Sequence, residues 1–95
     1  MRNPKFHKAL QQMGEMHDKK NKDYSEADNP YSNFEYVAQM TGLTVQQVLL
    51  VQICNKVARM VQLEGREAVN EAIEDSRLDL AVYSTLLYSY YQNGD

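Results

Sequence analysis

Ninety-five residues, 43% hydrophobic and 24% charged with a net charge of −3, describe an ordinary folded chain, read as one domain over 1–95, and exclude a disordered one. The acidic balance argues against general DNA binding, which depends on neutralising phosphates. No apolar run reaches the roughly 20 residues of a spanning helix, and a lone cysteine, Cys54, excludes an intrachain disulfide.

The N-terminus, MRNPKFHKALQQM, lacks the apolar centre of a signal peptide, so a cytoplasmic protein is expected. Charge is uneven along the chain. Residues 1–22 carry six Lys/Arg against two carboxylates, +4, and residues 23–95 carry four against eleven, −7. The basic end holds Lys19, Lys20 and Lys22, a candidate anion site.

Asn3-Pro4 reads as a helix start, Asn capping and Pro in the first turn. A helix over 4–21 follows, with Phe6, Ala9, Leu10, Met13, Met16 and His17 on one apolar stripe. The segment KDYSEADNPY has loop chemistry. Ser32-x-x-Glu35 is a capping-box pattern that opens a helix over 33–41, ended by Thr41-Gly42. Thr44-x-x-Gln47 is a second such pattern and opens a helix over 45–64, ended by Gly65. Asn70 caps a last helix over 71–91. The expected fold is all-α, a compact four-helix bundle-like domain.

The 45–64 helix is apolar over most of its circumference, which predicts a central, surrounded element with Cys54 buried. Its polar stripe contains Lys56 and Arg59. On the last helix, Glu71, Asp75 and Asp79 recur every four residues together with Leu78, Val82 and Leu86. At 100° per residue these carboxylates point toward the core, and inward carboxylates must be paired, hydrogen-bonded or metal-bound.

Two readings follow. Lys56 and Arg59 facing the carboxylates form an interhelical salt-bridge network that fixes register. Alternatively they wall a polar pocket for a nucleotide or other phosphate-bearing ligand. Lys56, Arg59 and Lys20 would then hold phosphate and Tyr24 would stack on a base. Asp23 and His17 would stand at the mouth, and Glu71, Asp75 and Asp79 would orient the cations or carry Mg²⁺. His7 and His17 lack the spacing of a two-histidine metal site, and no glycine-rich phosphate loop occurs. Tyr88, Tyr90 and Tyr91 cannot all face one core, so the C-terminal helix is expected to mediate homo-oligomerisation. Ala38, Gly42 and Val48 have helix-turn-helix spacing, but Leu49 and Leu50 would face DNA and no cation precedes Lys56, which disfavours a DNA reader.

KNKDY at 20–24, NF at 33–34, KVAR at 56–59 and EAIEDSRLDLAVY at 71–83 together resemble the small all-helical nucleotide modification associated domain 1 family of phages and prophages, over about residues 20–91. The resemblance marks Lys20, Asp23, Tyr24, Phe34, Lys56, Arg59, Glu71, Asp75, Asp79 and Tyr83. It implies a phage-type protein in nucleotide metabolism, base modification or nucleotide sequestration, in a bacterial host cell, and names no reaction. A second likeness, to helical nucleoside triphosphate pyrophosphatases, rests on Glu71-x-x-Glu74 and implies Mg²⁺-dependent hydrolysis. Lys56 and Arg59 stand where that chemistry wants a second acidic pair. The remaining alternative is an oligomeric protein-interaction module without catalysis.

Overall fold

The computed structural model describes the backbone of residues 2–24, 29–66 and 70–92, and the side chains of 2–19, 29–66 and 72–92. Those residues form four α-helices and no β-strand: α1 Pro4–Tyr24, α2 Ser32–Thr41, α3 Val45–Leu63 and α4 Asn70–Tyr90. The all-α class holds, and each expected helix is present with its ends moved by three residues at most. The chain sorts into two compact units, Met1–Asn33 and Phe34–Asp95.

In the first unit Asn3 caps α1. Its Oδ1 accepts the Phe6 N–H at 3.1 Å and its carbonyl accepts the His7 N–H at 3.2 Å. Phe6 and Leu10 are exposed on this helix, while Met13, Met16 and His17 are half-buried. Asn29 shapes the entry to α2: its side chain accepts the Tyr31 N–H at 3.0 Å and its carbonyl the Ser32 N–H at 3.1 Å.

In the second unit the turn chemistry behaves as its residues dictate. The Thr41 hydroxyl donates back to the Val37 carbonyl at 2.6 Å, and Gly42 takes φ 74°, a conformation that costs an L side chain energy. Thr44 then accepts the Gln47 N–H at 3.0 Å while Gln47 Oε1 accepts the Thr44 N–H at 2.9 Å, a complete capping box. This three-residue connection turns the chain by 100° between α2 and α3. Past α3, Gly65 takes φ 79° and releases the chain toward α4.

α3 and α4 pack antiparallel. Gln46 meets Tyr91 near one end of the pair, Lys56 meets Asp79 midway, and Met60 and Ile73 line one cleft at the other end. Ala38, Val45, Val48 and Leu49 form the buried cluster, and Phe34, Val37, Tyr83, Leu86, Leu87 and Tyr90 pack against it. The Phe34 and Tyr83 rings meet edge-on at 6.3 Å, a geometry favoured by the ring quadrupoles.

One expectation fails. α3 is not surrounded: Leu50 is 41% exposed, Val51 50%, Val57 43% and Val61 68%, and Cys54 is exposed as well. The physical reason is that α2 and α4 both lie against the side of α3 that carries Val45, Val48 and Leu49. Residues a half-turn away receive no cover from either helix. No single described helix is long and apolar enough to cross a membrane; α2 and α3 satisfy that test only as a pair, across their 100° bend.

Candidate functional site

The seam between α3 and α4 brings together one pair of the charged residues singled out in the sequence, Lys56 and Asp79. α4 presents Ile73, Ser76, Leu80, Tyr83, Leu87 and Tyr90, a 3-4-3-4-3 spacing that keeps one face turned to a neighbouring helix. Among them Ser76 is 2% exposed, and its hydroxyl has no hydrogen-bond partner among the described residues. A side chain this small lets the two helices approach closely.

Lys56 and Asp79 meet across the seam, Nζ to Oδ2 at 3.0 Å, with side chains 24% and 21% exposed. Asp79 engages a further partner as well. The salt-bridge expectation therefore holds for this pair. It does not extend to Arg59 or Asp75, which are both exposed. Residues four apart on a helix drift by about 40° around its axis. Asp79 reaches the edge of the packed face, and Asp75 lags behind it toward solvent. Likewise Arg59, about 60° from Lys56 around α3, turns out of the seam.

The inward-facing Asp75 expected from periodicity is thus corrected: its side chain is exposed. The side chains of Lys20, Asp23, Tyr24 and Glu71 lie outside the described residues. Among the described residues no group of three or more His, Cys, Asp or Glu side chains could hold a metal ion. Glu74 turns outward and pairs with Arg77 at 2.9 Å, one turn along the same helix. A shallow cleft of about 360 Å³ opens at the end of the seam between Met60, Val61, Glu64, Gly65, Ile73 and Arg77; none of the expected site residues lines it.

The tyrosines divide by role. The Tyr90 hydroxyl donates to Glu35 Oε2 at 2.9 Å, tying α4 to the first turn of α2. That bond chiefly, with some desolvation and the nearby Glu35 charge, raises the Tyr90 pKa above its ordinary value. Tyr91 accepts the Gln46 N–H at 3.1 Å, one of the donors that a helix leaves open in its first turn. The two rings meet edge-on at 5.0 Å. Tyr88 is 69% exposed. Neither the Glu35–Tyr90 bond nor the buried Ser76 was expected from sequence. The 3-4 spacing through Ser76 was a signal available for it; a contact between residues 55 apart in the chain had none.

One continuous feature of the second unit is the outer side of α3, away from α2 and α4. At 100° per residue, Leu50, Val51, Cys54, Val57, Ala58 and Val61 fall within about a third of the circumference, opposite the buried cluster. No charged residue falls in that arc, and Gln47 is its polar member. The α2–α3 corner has the angle of a helix-turn-helix unit, yet the face that would enter a groove carries no Lys or Arg with which to hold phosphate. Comparison of the chain with protein-family models, with curated proteins and with solved structures finds no match.

Proposed function

We propose that this chain is a protein-interaction module whose docking surface is the outer side of α3. The observation that carries the reading is the stripe of six exposed residues on one side of α3, Leu50, Val51, Cys54, Val57, Ala58 and Val61, with no charge among them. Apolar surface at this density is unfavourable in water, and on soluble chains it marks contact sites. Its lack of cations speaks for an apolar partner and against nucleic acid. The rest of the fold serves this surface: the capping box and the α4 seam hold α3 rigid, so little ordering cost remains at binding.

The test uses the full chain with Val57→Glu and Val61→Glu together. Because neither side chain is packed in the core, thermal unfolding should stay within about 0.5 kcal/mol of the parent, while binding of the apolar-surface dye bis-ANS should drop several-fold. Unfolding of the variant would mean that the face is covered within the chain, and the docking reading would be abandoned.

A second reading, a nucleotide or other phosphate ligand, draws support from Arg59, which is exposed one turn from Lys56 and has no ion-pair partner among the described residues. A thermal-shift panel of nucleotides with and without Mg²⁺ tests it. Ligand at a hundred times its Kd should add about 2.7 kcal/mol, and a shift that persists in Arg59→Ala would reject this assignment.

A further inference from the structure

We infer that the occupant of the outer α3 face is a second copy of the same chain, packed antiparallel about a two-fold axis; this rests on the docking reading above. Three observations point to it.

The first is spacing. Leu50, Cys54, Val57 and Val61 recur at 4-3-4, the interval at which one helix lays knobs into the holes of another. The seam is centred between Cys54 and Val57. An antiparallel copy therefore sets Leu50 against the partner's Val61 and Cys54 against the partner's Val57. Big meets medium and small meets medium along the whole stripe.

The second is charge. A two-fold axis brings each surface onto itself, so a charged stripe repels its own copy, whereas a neutral one does not. Here the stripe is uncharged, and its nearest exposed polar neighbours are the amides Gln46, Gln47 and Gln62 together with one carboxylate, Glu64, at the end of α3. Side-chain amides both donate and accept, so they are complementary to themselves in a way that neither a carboxylate nor an ammonium is. The helix ends add direction. Antiparallel packing brings Glu64, at the C-terminal end of α3, beside the partner's Gln47 in its first turn, where a helix favours negative charge. Parallel packing would place Glu64 against the partner's Glu64.

The third is area. The exposed fractions of Leu50, Val51, Val57 and Val61 amount to about two whole aliphatic side chains. With Cys54 and Ala58 this is roughly 300 Å² of apolar surface per copy, the scale of a monomer's largest functional patch. Doubled, and rimmed by the amides, it approaches about 1,000 Å², the lower limit for a specific interface. A reversible dimer with Kd on the order of micromolar is the expected result.

Sedimentation velocity of the full chain from low micromolar to several hundred micromolar should show a monomer–dimer transition. Leu50→Glu with Val57→Glu should raise the Kd at least about tenfold; Val61→Glu, at a more exposed site, serves if that pair fails to fold. Direction is read by oxidative cross-linking in a Cys54→Ser background. A mixture of the Leu50→Cys and Val61→Cys chains should form a disulfide-linked dimer that neither chain forms efficiently alone.

A dimer indifferent to the α3 substitutions overturns the proposal, as does cross-linking of each chain to itself in preference to the mixture. A chain that stays monomeric with Cys54 reacting rapidly with a thiol reagent also overturns it, while leaving the docking face itself standing. A monomer whose Cys54 is protected overturns both.

Discussion

Replacing Lys56 with methionine removes the positive half of the α3–α4 ion pair while keeping its aliphatic volume. The Nζ–Oδ2 distance is 3.0 Å, and each side chain retains only about a quarter of its exposure or less. At an effective dielectric of about 20 the bare attraction at this distance is about 5 kcal/mol, and desolvation of both ions offsets most of it. Fully exposed pairs contribute about 0.2–1 kcal/mol, and breaking a fully buried one costs about 3–5 kcal/mol. This pair lies between them, so Lys56→Met should destabilise by about 1–2 kcal/mol. Asp79→Asn should be destabilising as well, because it leaves the Lys56 ammonium in the seam without its counter-charge. The double variant should return a coupling energy near 1 kcal/mol. Urea unfolding followed by circular dichroism gives all four corners of the cycle, and for a domain of this size each kcal/mol appears as a Tm change of about 4–8 °C. A Lys56→Met chain within about 0.3 kcal/mol of the parent, or a cycle whose two effects simply add, would refute a net stabilising role for the pair.

Thr44→Ala breaks both bonds of the α3 capping box and should cost about 1 kcal/mol in thermal unfolding; a neutral result would mean that packing alone starts α3. The raised Tyr90 pKa carries a sign. A tyrosine that titrates higher when folded is stabilised in its protonated form, so the contribution is complete below the unfolded value near 10 and is lost as pH rises through the folded one. Tyr90→Phe should therefore flatten the loss of stability on alkaline titration and remove from the absorbance change near 295 nm a tyrosine that titrates above the ordinary value. An unchanged alkaline profile would contradict the Glu35 bond. Ser76→Ala should be neutral or slightly stabilising in urea unfolding, since the hydroxyl it removes makes no bond among the described residues. Ser76→Leu should cost about 1–3 kcal/mol by forcing the helices apart, and equal stability of the two variants would show the seam to be loosely packed there.

The helices were legible in the sequence because their signals are local. Asn3, Thr44-x-x-Gln47, Gly42 and Gly65 act within a turn or two of themselves, and each does in the structure what its chemistry required. What faces what was less legible. The 3.6-residue period placed the acidic row of α4 on an apolar side, but a row of residues four apart winds around the helix, so it met α3 at Asp79 and had left it by Asp75. The apolar circumference of α3 by itself implies burial on all sides. Periodicity records how much of a helix avoids water; it does not record which neighbour supplies the cover, and Leu50, Val57 and Val61 get none from α2 or α4. The Lys56–Asp79 contact was legible as a complementary pair because its charges sit on consecutive helices with a short connection.

Because α3 and α4 are neighbours in sequence and packed along their length, the chain can assemble by zipping outward from the Gly65 turn. Met60 and Ile73 meet first, then Lys56 and Asp79, and Gln46 with Tyr91 last. Each step closes only a slightly longer loop than the one before it, so no large entropy cost falls on a single event. Folding within milliseconds is the expected rate for such local topology. On this order Ile73→Val would slow folding while Tyr91→Phe would chiefly speed unfolding, a difference that stopped-flow measurements on the two variants can read directly.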